Sequence, residues 1–173
     1  MSLGGGGVRF AVATAQGFEG NGEFFFKEVC VIIVDRDTKK CVSILNIRVG
    51  PRMKLVPYKY RRTFNWLTQN FHGIEWNDPG LTQYEMEEML HSFELEHVYV
   101  KGANAQKWFQ KVFHPSVSIV NIEKFGCPSY AELRKGSSPA VECTLHRFGL
   151  NKHCAINDAV FLVRWLQSAA AQS

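Results

Sequence analysis

The sequence predicts an α/β domain in which a mixed β-sheet is flanked by helices and closed by a long C-terminal helix. Three apolar segments with the period of β-strands fill the first third of the chain, and helical and strand periods alternate in the remainder. The last apolar pattern, from 152 to 170, repeats at the spacing of a single amphipathic helix.

The first third is predicted to form an antiparallel meander. Segments 8–15, 24–34 and 41–49 are rich in Val, Ile and Phe, and glycine-containing or charged turns separate them. Strands joined by short connections usually pair with their neighbours in sequence. We therefore expect three adjacent antiparallel strands.

The helical period begins after Pro57, which suits a first helical turn, and Tyr60, Phe64, Leu67 and Phe71 follow at helical spacing. Thr82 and Glu85 predict a capping box, in which each side chain accepts a hydrogen bond from the other residue's backbone N–H, at the start of a second helix. The remaining predicted elements are a strand at 97–101, a helix capped by Asn104, a strand at 117–122, a short helix at 128–134, a surface loop at 135–139, and the last helix with Ile156, Ala159, Val160, Val163 and Leu166 on one face.

Length and composition predict one domain, spanning 8–170, after a disordered segment at 1–7. No apolar run is long enough for a transmembrane span, so no membrane association is expected. The five cysteines are odd in number and scattered, unlike a secreted disulfide framework, which favours an intracellular location, cytoplasmic or nuclear. A net charge of +4 is too small to indicate nucleic-acid binding by itself.

Cys143, His146 and Cys154 have the spacing of metal ligands. A thiolate and an imidazole three residues apart can bind one ion from a tight turn, and a thiolate at the start of the next helix can supply a third ligand. The fourth ligand of a tetrahedral zinc site would have to come from elsewhere in the chain. The alternative is two buried cysteines and a surface histidine.

The order of elements is that of the RNase H-like fold, and His153 and Asp158 resemble the third motif of DEDDh-type 3′–5′ exonucleases. In that family the histidine is the general base and the aspartate is a ligand of paired magnesium ions. The other acids of the family are missing, because Ala13 and Ala15 stand where the first strand should carry Asp-x-Glu, and 98–104 carries a lysine and an asparagine but no Asp. The resemblance therefore implies a degenerate site, in which His153 and Asp158 are relics.

The pattern Cys143-x-x-His146, followed after seven residues by Cys154-Ala155, resembles the Maelstrom domain, an RNase H-like relative of these exonucleases without the catalytic acids. The resemblance implies a structural zinc ion held by a Glu-Cys-His-Cys set, with Glu28 as the fourth ligand. Short motifs at 16–18, 27–28 and 100–102 are also similar to those of uncharacterised domains of arthropod and mobile-element origin.

Each of these residues also has a simpler interpretation. Glu28 could be a strand-edge acid paired with Lys27 or with an arginine. His153 competes with His146 as a ligand, although its position beside Cys154 would direct it elsewhere. Asp158 could be a solvated acid favoured by the dipole of the first helical turn.

A cluster of basic residues interleaved with Tyr58 and Tyr60 is the candidate nucleic-acid surface, since cations can bind phosphates while aromatic rings stack on bases. The alternative is a solvated helix start, with some of the rings used for packing. Lysines near the relic site could extend the surface. The candidate nucleic-acid contacts are Arg52, Lys54, Lys59, Arg61 and Arg62, with Lys101, Lys107 and Lys111 as the possible extension.

Three functions follow from these features. The first is a zinc-stabilised, catalytically degenerate domain that binds single-stranded RNA or the protein partners of an RNA-silencing pathway, as the Maelstrom resemblance implies. The second is a weak single-strand-specific ribonuclease that uses His153 and Asp158. The third is a purely scaffolding domain with an exposed apolar patch near Trp76 or the helix that carries Met86.

Overall fold

A computed structural model describes residues 9–53, 55–135 and 153–171, which form a five-stranded mixed sheet flanked by helices. The predicted α/β class and C-terminal helix are confirmed. The segment 1–7, most of the predicted loop at 135–139, Lys54, Cys143 and His146 lie outside the described residues. The strands are β1 Arg9–Gly20, β2 Glu23–Asp35, β3 Cys41–Arg48, β4 His97–Val100 and β5 Ser118–Asn121, and the helices are α1 Arg61–Leu67, α2 Gln83–His91, α3 Ala103–Val112, α4 Tyr130–Arg134 and α5 Ala155–Ala171.

The strands lie in the order β3-β2-β1-β4-β5. The predicted meander is confirmed, since β1 pairs antiparallel with β2 and β2 pairs antiparallel with β3. β4 and β5 then extend the sheet in parallel from the other edge of β1. β1 is therefore central, with the antiparallel and the parallel halves of the sheet on its two sides.

β1 runs five residues further than the predicted end at Ala15, so residues 16–18 lie within the strand. A β-bulge explains the extension. Gln16 pairs with Glu28 while Gly17 pairs with Phe26, so β2 carries one extra residue, Lys27, at this point. A Cβ atom at position 17 would lie 2.1 Å from the carbonyl oxygen of Phe25, so the close approach of the two strands needs glycine here.

Helices cover both faces of the central part of the sheet, whereas the edge strand β3 is partly exposed. Alternate residues of β2, namely Val29, Val31 and Ile33, pack in the core that contains Met86 and Leu90 of α2 and the aromatic residues of α3. The residues between them, Cys30, Ile32 and Val34, pack in the core that contains α5. Burial on both faces explains why β2 is a continuous apolar run.

The predicted face of α5 packs against the sheet, but its most buried residues are not all the predicted ones. Ala159 is fully buried as predicted, together with Ala155 and Leu162, whereas the predicted Ile156 and Val160 are half-buried and pack against the same core. The small side chains of the two alanines allow the helix to approach β1 and β2 closely.

The first helical region is less regular than its period suggests. A 3₁₀ turn (Tyr58–Tyr60) precedes α1, and a π turn (Thr68–His72) follows it and ends at Gly73, whose φ is 69°. The capping box of Thr82 and Glu85 at α2 is confirmed. The predicted cap at Asn104 is wrong by two positions, because Gly102 precedes α3 with a φ of 101° and donates its N–H to Asn121 Oδ1 at 2.9 Å.

Candidate functional site

The β-bulge in β2 separates the two charged residues at its centre. Glu28 and Lys27 are both fully buried, but they bind different parts of the fold. Glu28 reaches the first residues of α5, where Ala155 N donates to its Oε1. Lys27 Nζ donates to the carbonyl oxygens of Trp76 and Asp78, at 2.9 and 2.8 Å. Glu28 therefore does not pair with Lys27, and its alternative pairing with an arginine stays a prediction.

Glu28 lies beside Cys154, the residue that immediately precedes α5. The distance from Cys154 Sγ to Glu28 Oε1 is 3.8 Å, and both residues are buried. A sulfur and a carboxylate oxygen that share a tetrahedral zinc ion at their usual bond lengths lie roughly 3.5 Å apart. The spacing and the chemistry of this pair therefore fit two ligands of one zinc ion.

The predicted zinc site is only partly visible in the described residues, since Cys143 and His146 lie outside them. Within 9–53, 55–135 and 153–171, no cluster brings together three or more His, Cys, Asp or Glu side chains suited to a metal ion. Glu28 and Cys154 are the two predicted ligands whose positions are known, and the fold brings them into contact.

Lys27 holds the segment after the π turn against the sheet. Burial is the main reason why its pKa falls from 10.5 to about 8, and nearby Asp78 partly opposes this shift. Trp76, whose carbonyl Lys27 binds, packs with Phe18 and Phe64 in a third apolar cluster. Sequence reasoning considered Lys27 only as a partner of Glu28 and missed its contacts with the segment 76–78, although a lysine in an apolar strand is a signal that it needs a partner.

A cleft of about 300 Å³ opens at the carboxyl-terminal ends of β1 and β4. Ala13 and Ala15 of β1 line it, while Thr14, also at its border, donates to the carbonyl oxygen of Ala155. The two alanines that stand in place of carboxylates on β1 therefore line the cleft. Two stacked pairs, each with ring centroids 3.8 Å apart, also border it: Phe24 with Trp108, and Phe71 with His153.

Asp158 lies in the cleft with both carboxylate oxygens engaged. Arg134 Nη2 donates to Oδ1 at 2.8 Å, and Gln16 Nε2 donates to Oδ2 at 3.1 Å. Burial raises the pKa of Asp158 from 3.8 to about 7, while Arg134 acts in the opposite direction. Its interpretation as a solvated acid is wrong, because its side chain is only 3% exposed.

His153 belongs to the same network. Its Nδ1 lies 3.1 Å from Arg134 Nη2, and its ring stacks on Phe71. His153 and Asp158 are thus brought together, as the resemblance predicts, but through an arginine. Sequence reasoning missed Arg134, since nothing in a short helix of mixed composition marks one basic residue as the partner of a buried acid 24 positions later.

A second cation borders the cleft on the side of β4. Lys101 Nζ lies 3.0 Å from Glu123 Oε1, and the lysine side chain is 9% exposed. Lys101 and Arg134 both lie over the ring of Tyr130, at 5.5 and 5.7 Å from its centroid. Burial raises the pKa of Tyr130 well above its usual value, so its hydroxyl stays neutral.

The predicted nucleic-acid contacts divide into exposed and structural residues. Tyr58 is 86% exposed, with the guanidinium of Arg61 5.7 Å from its ring centroid, and Arg62 is also exposed. Tyr60 instead has a packing role, because its ring stacks on Phe64 and its hydroxyl donates to Asn21 Oδ1 at 2.6 Å. We call residues 58–62 the basic-aromatic surface.

Arg52 and Lys59 are two further predicted contacts, of which Arg52 lies outside the basic-aromatic surface and Lys59 lies within it. Arg52 forms an ion pair with Glu23 at 3.0 Å, and its guanidinium lies 5.7 Å from the ring centroid of Phe25. Lys59 Nζ lies 4.9 Å from the ring centroid of Tyr60. The basic-aromatic surface continues into α1 and the π turn, from which Leu67 and Phe71 reach the cleft.

None of the described helices combines the length and the hydropathy that a bilayer crossing needs. No protein-family model matches the sequence, and no curated protein matches it significantly.

Proposed function

We propose that this protein is a zinc-stabilised, RNase H-like domain that binds single-stranded RNA and lacks the two-metal centre of a nuclease. The antiparallel unit β1–β3, extended by two parallel strands and closed by α5, supports the RNase H-like assignment. The proposal on RNA rests on the basic-aromatic surface and on its continuity with an aromatic-walled cleft.

The single observation that carries RNA binding is the exposed pairing of Tyr58 with Arg61 at the start of α1. A ring that is 86% exposed is available to stack on a base, and the adjacent guanidinium can bind a phosphate. Stacking is tolerant of sequence and requires unpaired bases, which favours single strands over duplexes. The surface therefore suits single-stranded RNA of mixed sequence.

The lining of the cleft argues against two-metal catalysis. Such a centre needs several carboxylates that hold two divalent ions about 4 Å apart. Here Ala13 and Ala15 contribute methyl groups, and Arg134 engages the Asp158 carboxylate. The weak ribonuclease that His153 and Asp158 could form is accordingly the less supported function.

Zinc is proposed as a structural ion. Glu28 and Cys154 have the spacing of two ligands, and the Maelstrom resemblance supplies Cys143 and His146 as the other two. Four protein ligands leave no open position for a catalytic water. The ion would tie the middle of β2 to the start of α5.

Fluorescence anisotropy with a labelled single-stranded RNA tests the proposal. The double variant Arg61→Gln/Arg62→Gln should weaken binding and reduce the slope of log K against log salt by roughly 1.4, the value for two lost phosphate contacts on a single strand. Lys39→Gln/Lys40→Gln, on the β2–β3 turn, removes the same charge and should change neither the affinity nor the slope.

Three outcomes would count against the proposal. Equal losses in both double variants would indicate only a general effect of charge. No RNA binding at low salt would leave a protein-interaction role as the better explanation. Cleavage of the RNA that disappears in both His153→Ala and Asp158→Asn would show that the protein is a ribonuclease.

A further inference from the structure

Lys101 is a nearly buried cation at the edge of the cleft, with a partner that can leave. Its side chain is 9% exposed, whereas that of Glu123, with which it pairs, is 47% exposed. Glu123 can therefore be solvated if another anion replaces it, at the modest cost of a surface ion pair. Lys101 would lose much more, because a buried ammonium without an anionic partner is unfavourable.

Arg134 places a second cation against two residues that line the cleft, His153 and Asp158. Its Nη2 contacts both Asp158 and His153, and no hydrogen bond with another described residue engages its Nη1 or Nε. Arginine offers five N–H donors in a planar arrangement that matches the oxygens of phosphate. The guanidinium can thus keep its contact with Asp158 while further donors bind an anion.

The two acidic residues that line the cleft are either exposed to solvent or already paired. Glu19 lines the rim and is exposed to solvent, and Asp158 is already held by Arg134 and Gln16. Tyr130, which lies under both cations, stays neutral. The methyl groups of Ala13 and Ala15 leave open the space that longer side chains would fill.

We propose that the cleft binds a phosphate group directly, through Lys101 and Arg134, the two cations that contact the ring of Tyr130, without a divalent cation. This inference rests on the proposed RNA-binding function and names the chemistry of its second contact, separate from the basic-aromatic surface. The positive charges of Lys101 and Arg134 neutralise the phosphate, as bound metal ions would do in an acid-lined cleft. The phosphate can be the terminal group of an RNA or an internal phosphodiester.

The test measures binding of one labelled RNA sequence in three forms, with a 5′-phosphate, with a 3′-phosphate and with hydroxyls at both ends. Each form is measured with and without added magnesium. Lys101→Gln should weaken binding about tenfold, the effect of one lost charged hydrogen bond, and inorganic phosphate should compete with RNA for the wild type but not for this variant. Lys40→Gln, at the opposite end of β1, is the matched control and should bind as the wild type does.

Arg134 needs a paired design because its loss leaves Asp158 without its cation. Arg134→Gln combined with Asp158→Asn removes both charges and should show the same loss of phosphate competition as Lys101→Gln. Tighter binding of one phosphorylated form would show that the cleft binds a terminal phosphate. Equal binding of all three forms would show that it binds an internal phosphodiester. Both results agree with the inference.

Two results would overturn it. Binding that requires magnesium would show that a metal ion holds the phosphate. If Lys101→Gln binds RNA with the affinity of the wild type, the cleft does not contact the phosphate. The proposed RNA-binding function would still stand in that case, provided that Arg61→Gln/Arg62→Gln weakens binding. An absence of RNA binding by the wild type would instead refute the proposed function itself.

Discussion

Glu28 and Cys154 are 126 positions apart in the chain, yet the carboxylate oxygen of one lies 3.8 Å from the sulfur of the other. The β-bulge in β2 and the close approach of α5 to the sheet produce this contact. It joins the second strand to the last helix at a point buried from solvent. Five predictions follow from this contact and its surroundings.

Zinc content should depend on Cys154. We expect the purified protein to hold about one zinc ion per chain, and Cys154→Ser to lose it and to melt at a markedly lower temperature, because a structural zinc ion contributes to folding directly. Cys127→Ser, another buried cysteine, should keep the metal. Elemental analysis with thermal unfolding gives both quantities, and equal metal content in the two variants would refute the site.

Glu28→Gln tests the carboxylate ligand separately. The amide keeps the shape of the side chain but loses the charge that favours zinc, so we expect weaker zinc retention against a chelator than in the wild type. Glu94→Gln, which makes the same substitution at an exposed position, is the control, and its zinc retention should be unchanged.

Asp158 should make the stability depend on pH. The pKa of Asp158 is about 7 in the folded protein, and its usual value of 3.8 applies to the unfolded chain. The folded state therefore binds the proton more tightly than the unfolded state does. The stabilisation by the proton is therefore complete below about pH 4 and is lost as the pH rises to about 7. Asp158→Asn should remove this dependence. Between pH 4 and pH 7 the unfolding free energy of the variant should therefore rise relative to that of the wild type by up to roughly 4 kcal/mol.

Urea unfolding at several pH values between 4 and 8 measures this effect. Asp37→Asn, which removes an exposed acid in the β2–β3 turn, serves as the control for a change of net charge. A constant difference in unfolding free energy between Asp158→Asn and the wild type at all pH values would contradict the prediction.

Lys27 should be needed for the position of the segment that contains Trp76. Lys27→Met fills similar space but leaves the carbonyl oxygens of Trp76 and Asp78 without their donor, which should cost about 2–4 kcal/mol of unfolding free energy. Chemical denaturation followed by tryptophan fluorescence measures the loss. Lys40→Met, an exposed lysine, should cost almost nothing, and a similar stability of the two variants would contradict this role.

Gly17 should be essential to the β-bulge. Gly17→Ala places a Cβ atom 2.1 Å from the Phe25 carbonyl oxygen, so the two strands must separate and Glu28 must move. We expect a loss of several kcal/mol together with weaker zinc retention. Gly20→Ala meets only the ring of Tyr60 at 3.2 Å, which can shift, so it should be much milder. Circular dichroism melts compare the two.

Local features of the fold could be predicted because they depend on neighbouring residues. The period of 24–34 and the turn after it predict β2 and its antiparallel pairing, and Thr82 with Glu85 predicts the start of α2. The bulge at Gln16 and Gly17 was missed, because an extra residue in one strand shows only when the partner strand is aligned with it.

Within the candidate site, too, some residues could be predicted from the sequence and others could not. The resemblance selected Glu28, Cys154, His153 and Asp158, and the fold brings these residues to the start of α5. It did not select Arg134, because a salt bridge between separate helices depends on how those helices pack.

The sequence by itself determined the α/β class, the meander and the amphipathic last helix, since hydrophobic periodicity and capping act over a few residues. Only the tertiary structure decided that Lys27 and Glu28 point to different partners, that Asp158 is held by Arg134, and that two cations share the ring of Tyr130. The physical reason is that burial and charge pairing are set by residues that are distant in the chain, and no short stretch of sequence contains both partners.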